Sequence, residues 1–152
     1  MKINKVLLLL IFVLGLALRL FNLDQIPAIL NRDEAALAYN AHLIKTSGQD
    51  EWQVSWPLTF KSFGDYKLPA YPYLLAFLFE FLPENDFVTR LPSALAGSFL
   101  IIVAFFFARD ILKVKERSAL FMALLIAITP VFFFYSRIAF EANLALFLFV
   151  LA

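Results

Sequence analysis

The sequence contains no cysteine and a single histidine among its 152 residues. The lack of cysteine excludes disulfide bonds and thiolate metal sites, and it leaves the redox compartment undetermined. There is no run of basic residues and the net charge is +1, so neither feature indicates nucleic acid as a partner. Repeats, low-complexity segments and linkers are also lacking. Nothing therefore divides residues 1–152 into separate domains.

Apolar residues are abundant instead. They make up 62% of the chain, which includes 19 phenylalanines, and the mean hydropathy is +0.82. Soluble domains contain roughly 45–50% apolar residues. This excess indicates a membrane protein, and we expect an all-α, polytopic fold.

Four apolar stretches predict transmembrane helices: about 6–22, 87–108, 118–135 and 142–152 onward. The first follows a basic start with Lys2 and Lys5 and has no Ala-x-Ala cleavage site, which predicts an uncleaved helix with a cytoplasmic N-terminus. Arg19 near its outer end is expected to reach the lipid headgroups. The last stretch is still apolar at Ala152. We therefore expect an N-terminal fragment of a larger protein, inactive by itself.

A fifth apolar stretch, residues 68–83, is too short to cross a membrane, since a spanning helix needs about 20 residues. The loop "RDILKVKER" at 109–117 is basic and belongs on the cytoplasmic side by the positive-inside rule. Both observations are satisfied if residues 68–83 form a re-entrant or interfacial helix. The loop 23–86 and the short loop "YSRIAFEA" would then share the outer face of the membrane.

The stretch "NRDEAALAYNAHLIKTSG" predicts an amphipathic helix on that face. Asn31 and Glu34 have the spacing of a capping box, and Gly48 is a typical helix stop. An apolar stripe follows at i, i+4 and i+7: Leu37, Ala41 and Ile44. Neighbouring side chains on a helix point about 100° apart. We therefore expect Glu34 to cap the helix and Asp33 to point elsewhere.

Four segments taken in order resemble the C-type (GT-C) membrane glycosyltransferases, with the protein O-mannosyltransferases and lipid A aminoarabinose transferases as the nearest group. They are "RDEAALAYNAHLIKTSG", "FGDYKLPAYPYLLAFLFEF", "TRLPSALAG" and "ITPVFFFYSRIAFEANLALFLF". The resemblance implies a multi-pass enzyme of the cell (inner) membrane. Such an enzyme transfers a sugar, with inversion, from a polyprenyl-phosphate carrier to a protein, lipid or glycan acceptor at the outer face.

The resemblance also implies which residues act. The family's Asp-Glu pair falls on Asp33 and Glu34, which are the expected catalytic residues. A carboxylate that removes the acceptor proton contributes about 10²–10⁴-fold to the rate.

Charge on the leaving lipid phosphate must also be stabilised. The resemblance and this chemistry together make Lys67 and Arg137 the expected donor contacts. The family's remaining acids fall on Asp65 and Glu141, which are expected to bind a metal directly or to support it. Oxygen ligands suit Mg²⁺ or Mn²⁺.

Plainer interpretations stay open. Acids in the first turn of a helix are favoured by its dipole alone, and Arg137 and Glu141 have the i,i+4 spacing of a surface ion pair. A non-catalytic membrane scaffold or a transporter fragment is the alternative function. However, the second and third predicted spans carry no charge at depth, where an ion path would need one.

Overall fold

The computed structural model describes residues 2–152, and it describes side chains from Asn4 onward. The predicted position of the Lys2 side chain lies outside the described part. The chain is mostly helical, and its helices are α1 (Lys2–Leu20), α2 (Arg32–Ser47), α3 (Ala70–Phe79), α4 (Asp86–Phe106), α5 (Glu116–Ile128), α6 (Pro130–Ser136) and α7 (Glu141–Leu151). A π-helical turn, Phe107–Ile111, extends α4, and two short strands are β1 (Phe60–Ser62) and β2 (Asp65–Lys67).

Helix α4 is the centre of the larger helical layer and contacts α1, α5, α6 and α7. Together with the π-helical turn it runs for 26 residues with a mean hydropathy of 2.2. Within residues 2–152, this helix is long and apolar enough to cross a membrane, and α5 with α6 meets the same criteria if the two form one bent span. The polytopic arrangement beyond these helices stays a prediction.

The stretch predicted as one span at 118–135 is two helices, α5 and α6, bent by 53°. The cause is Pro130, which has no amide hydrogen to donate to the carbonyl oxygen of Ile126. Arg19 supplies the missing donors, because its Nη2 and Nη1 atoms lie 3.0 Å from Ile126 O and 3.1 Å from Ala127 O. The Arg19 side chain is fully buried. The expectation that it reaches the headgroups is wrong.

A smaller lobe is formed by α2, α3 and a β-hairpin. The apolar stripe of α2 is buried in one cluster with Leu75, Ala76 and Phe79 of α3, so this stripe packs on protein. Helix α3 has 10 residues and is about 15 Å long at 1.5 Å per residue. That is half of the roughly 30 Å hydrocarbon core of a membrane.

The hairpin corrects the all-α expectation. Strands β1 and β2 are antiparallel, with Ser62 opposite Asp65, and the two residues between them, Phe63 and Gly64, have φ of 49° and 84°. Positive φ at both positions is typical of a type I′ turn, which usually contains Asn-Gly or Asp-Gly. Phenylalanine is unusual at the first position of this turn type, so the sequence did not identify the turn as type I′.

Candidate active site

The two adjacent acids at the start of α2 point to different places. The predicted capping box is confirmed, since the side chain of Asn31 accepts hydrogen bonds of 2.9 Å from the amides of Asp33 and Glu34. Oε2 of Glu34 accepts in return from the amide of Asn31 at 3.0 Å. Glu34 therefore turns back over the helix end, while Asp33 points away from it.

Glu34 is 1% exposed and surrounded by donors. Its Oε1 atom accepts from Nε of Arg90 at 2.9 Å and from the amide of Ala139 at 2.8 Å. Its Oε2 atom, besides capping Asn31, lies 3.4 Å from Nη2 of Arg90. Both oxygens are thus occupied and shielded from a substrate. This burial favours a positioning role for Glu34, and its expected catalytic role stays a prediction.

Arg90 is the partner that the sequence did not reveal. Its side chain is fully buried, and besides Glu34 it donates to backbone carbonyl oxygens at 2.9, 2.8 and 3.2 Å: those of Leu23, Pro27 and Ile29. In the sequence it reads only as the basic flank of the second apolar stretch. A charge four residues inside α4 was the one available signal.

Arg137 also forms hydrogen bonds with the end of α1 and the loop that follows it. Its guanidinium donates to four carbonyl oxygens, at 2.6, 3.1, 3.1 and 2.9 Å: those of Leu18, Arg19, Asn22 and Ile26. Burial lowers the pKa of Arg137, and the positive charge of Arg90 adds to the effect. Arg137 is 5% exposed, so these hydrogen bonds hold the loop between α1 and α2, and the expected phosphate contact stays a prediction. An ion pair with Glu141 is not formed among the described residues.

Asp33, Asp65, Lys67 and Glu141 come together and are named here the Lys67 cluster. Nζ of Lys67 lies 3.1 Å from Oδ1 of Asp33 and 3.8 Å from Oδ2 of Asp65. Burial raises the pKa of Glu141, and the charges of Lys67, Asp33 and Asp65 also act on it. The Lys67 side chain is 14% exposed, whereas those of Asp33 and Asp65 are 43% and 75% exposed. One sheltered cation thus faces accessible acids.

An apolar cavity of about 300 Å³ opens beside this cluster. It is lined by Leu68, Ala70, Tyr71, Glu141, Leu144, Ala145 and Leu148. Oε1 of Glu141 is buried and has no hydrogen-bond partner among residues 2–152. A buried polar atom without a partner is costly, so a ligand hydroxyl group in the cavity would satisfy it.

The expected divalent cation finds no ready site in this arrangement. Among residues 2–152, no group of three or more histidine, cysteine, aspartate or glutamate side chains could hold a metal ion. The ammonium group of Lys67 lies near Asp33 and Asp65, where a cation would bind. The positive charge of this site comes from lysine, and the described residues do not fit a bound Mg²⁺ or Mn²⁺.

Comparison with known proteins gives the family. A model of the dolichyl-phosphate-mannose-protein mannosyltransferase family matches residues 67–152, more than half of the chain. The chain belongs to this family. The family is membrane-associated and its members are glycosyltransferases of the GT-C type, which confirms the resemblance at the family level. Neither the curated proteins nor the solved structures gave a match.

The family match covers only part of the Lys67 cluster. The matched region begins at Lys67 and includes Glu141. Asp33 and Asp65 precede it, so the family match does not bear on their assignment. The family description names a lipid-linked donor, dolichyl-phosphate mannose. A lipid-linked sugar is therefore the donor class that the site must be tested against.

Proposed function

We propose that this chain carries part of the active site of a membrane glycosyltransferase. The enzyme transfers a sugar from a polyprenyl-phosphate carrier to an acceptor at the outer face of the cell membrane. The observation that carries this proposal is the Lys67 cluster. Its acids and its lysine come from α2, β2 and the start of α7, and one of them, Glu141, lines the apolar cavity.

Asp33 is the general base in this proposal. It is the exposed member of the acidic pair, and it sits on a helix end held by the buried Glu34–Arg90 ion pair. A positioned carboxylate can accept the proton that the acceptor hydroxyl group loses as its oxygen attacks the anomeric carbon. The rigid support matters because a small displacement of a catalytic group lowers the rate strongly.

Lys67 binds the phosphate of the donor. As the acceptor oxygen forms its bond to the anomeric carbon, the bond from that carbon to the phosphate oxygen breaks and the electron pair stays on the phosphate. The ammonium group stabilises this added negative charge, and it does so best where water is scarce. The 14% exposure of Lys67 meets that condition.

The apolar cavity accommodates the first isoprene units of the carrier. Leu144 and Leu148 of α7 face Tyr71 of α3 across it, and hydrocarbon is the surface that a prenyl chain requires. Oε1 of Glu141, which has no partner among the described residues, would accept a hydrogen bond from a sugar hydroxyl group at the cavity wall.

The test is a transfer assay with the full-length protein in membrane vesicles and a radiolabelled polyprenyl-phosphate sugar. Asp33→Asn is expected to lower kcat by about 10²-fold or more, because the amide cannot take the proton. Lys67→Met should lower it as well. Asp24→Asn is the matched control, since Asp24 is also an exposed aspartate of the outer loop but lies outside the cluster.

Full activity in Asp33→Asn would refute the assignment of the base. Membrane insertion without any transfer from polyprenyl-phosphate sugars would favour the scaffold alternative.

A further inference from the structure

A second concave site lies on the hairpin and is named here the hairpin cleft. It has a volume of about 360 Å³ and is lined by Asp50, Trp52, Val54, Pro57, Leu58, Thr59, Lys61 and Tyr66. Lys61 and Tyr66 are paired across the two strands, as are Phe60 and Lys67 in the next position. Successive side chains of a strand point to opposite faces. The hairpin cleft is therefore a separate site, on the other face of the hairpin from Lys67.

Two aromatic rings form walls of the hairpin cleft. The indole of Trp52 is fixed in place, because Nε1 donates to the carbonyl oxygen of Lys61 at 2.8 Å and Nζ of Lys61 lies 4.7 Å from the ring centroid. It is nevertheless 55% exposed, and Tyr66 is 64% exposed. Aromatic side chains offer large rigid contact surfaces. The orientation of Trp52 is set before any ligand arrives.

The same cleft holds a hydrogen-bond acceptor and a cation. Asp50 is 4% exposed, and its Oδ1 accepts from the amides of Trp52 and Val54 at 2.9 Å each. Hydrogen bonds between residues 2–152 use only this oxygen of the carboxylate, which leaves Oδ2 to accept from a ligand. Lys61 forms no salt bridge with the described acids, and its ammonium group, which lies over one face of the Trp52 ring, can also donate to a ligand.

We propose that the hairpin cleft binds a saccharide. A pyranose ring has a C–H face that packs on an aromatic ring, and its neighbouring hydroxyl groups can bond to an acceptor and a donor at once. Trp52 and Tyr66 supply the rings, while Asp50 and Lys61 supply the two polar partners. An extended peptide would instead need a long groove or a long strand edge, and the two strands of this hairpin have only three residues each. The cleft, at the lower end of the roughly 300–1,000 Å³ range of small-ligand sites, suits one or two sugar rings.

The experiment is a binding measurement by saturation-transfer NMR, using the full-length protein in lipid nanodiscs. Nanodiscs avoid maltoside detergents, whose headgroups would occupy the cleft. The probes are α-mannotriose, maltotriose and a peptide rich in serine and threonine. At least one trisaccharide is expected to bind, and Tyr66→Ala should weaken it by about tenfold through loss of the aromatic surface. Tyr66→Phe, which keeps the ring, should still bind.

Phe63→Ala is the matched control, because Phe63 is in the same hairpin and is 63% exposed but does not line the cleft. It should leave trisaccharide binding unchanged. The inference is overturned if neither trisaccharide binds, if Tyr66→Ala and Phe63→Ala behave alike, or if only the peptide depends on Tyr66. This test does not depend on sugar transfer, because trisaccharide binding should persist in the Asp33→Asn variant.

Discussion

Nε of Arg90 donates a hydrogen bond of 2.9 Å to Oε1 of Glu34, and the two side chains are 0% and 1% exposed. This ion pair joins the first turn of α2 to α4. The second hydrogen bond to Oε1, from the amide of Ala139, adds the segment that leads into α7. Three parts of the chain thus meet at one carboxylate, and Asp33 is held beside them.

Glu34→Gln is predicted to destabilise the protein strongly. The groups that bond to the two carboxylate oxygens are all donors: Nε and Nη2 of Arg90 and the amides of Asn31 and Ala139. A glutamine NH₂ group would face donors in either orientation. Breaking a buried ion pair costs about 3–5 kcal/mol, so we expect a large fall in Tm of the purified protein.

Asp33→Asn is the matched control for that measurement. Asp33 is 43% exposed in its ion pair with Lys67, and exposed pairs contribute about 0–1 kcal/mol. Its Tm should stay close to that of the wild type although transfer is lost. If both variants had the same Tm, the division of roles between the two acids would be refuted.

Arg19→Met is predicted to loosen the contact between α1 and the α5–α6 bend. The variant leaves the carbonyl oxygens of Ile126 and Ala127 without the donors that now lie 3.0 and 3.1 Å away. Each buried group left unpaired costs about 1–3 kcal/mol. Thermal unfolding in detergent should show this loss, whereas Leu10→Met on the exposed face of α1 should not. Equal Tm values for the two variants would contradict the role assigned to Arg19.

Gly97→Ala is predicted to disturb the same contact from α4. A Cβ atom at this position would lie 2.5 Å from Oγ of Ser136 and 3.2 Å from Nε of Arg19. Cβ of Ser136 would be equally close, at 2.5 Å, so a change of serine rotamer cannot relieve the contact and α4 or α6 must shift. Because overpacking of this kind costs about 1–3 kcal/mol, thermal unfolding should again report it. Gly64→Ala is the control, because nothing lies within 4 Å of the added Cβ atom. This change strains only a surface turn.

Local signals predicted the local structure well. Asn31 and Gly48 are the caps of α2, as the hydrogen-bonding side chain of asparagine and the missing Cβ atom of glycine suggest. Pairings between distant residues could not be read in this way. Arg90 is 56 residues from Glu34, and Arg19 is 107 residues from Ile126. A buried arginine and a membrane-flanking arginine look alike in sequence. The Glu34–Arg90 ion pair that supports Asp33 could therefore be identified only from the three-dimensional structure.

The predicted topology can be tested with single cysteines, since the chain has none. Gln53, Lys115 and Phe140 are exposed positions in the three connecting regions. With the full-length protein in a cysteine-free background, an impermeant thiol reagent should label cysteines at 53 and 140 in intact cells. Position 115 should react only after permeabilisation. Labelling at 115 and protection at 140 would show that residues 68–83 cross the membrane, and Glu141 could not then join Asp33.

The lobe that carries α2 and α3 is predicted to lose stability in acid through Glu84. Nζ of Lys45 donates to Oε1 of Glu84 at 2.9 Å, and Nδ1 of His42 lies 2.7 Å from Oε2. The hydrogen bond from Lys45, followed by that from His42, lowers the pKa of Glu84 below its ordinary range. A carboxyl group with a lowered pKa stabilises the fold above the pKa of the unfolded chain. That contribution is lost as the pH falls through the lowered folded-state value.

The measurement is Tm against pH for the wild type and Glu84→Gln. The difference in free energy of unfolding between the two proteins should be less than about 1 kcal/mol near neutral pH, because the pair is partly exposed. The two Tm curves should converge in acid once Glu84 is protonated. Glu51→Gln is the control, because Glu51 follows α2 and lacks a cationic partner among the described residues. A difference that grew as the pH fell would reverse the sign required by a lowered pKa. The hydrogen bond of Lys45 to the carbonyl oxygen of Phe79 would then be the contact that joins α2 to the end of α3.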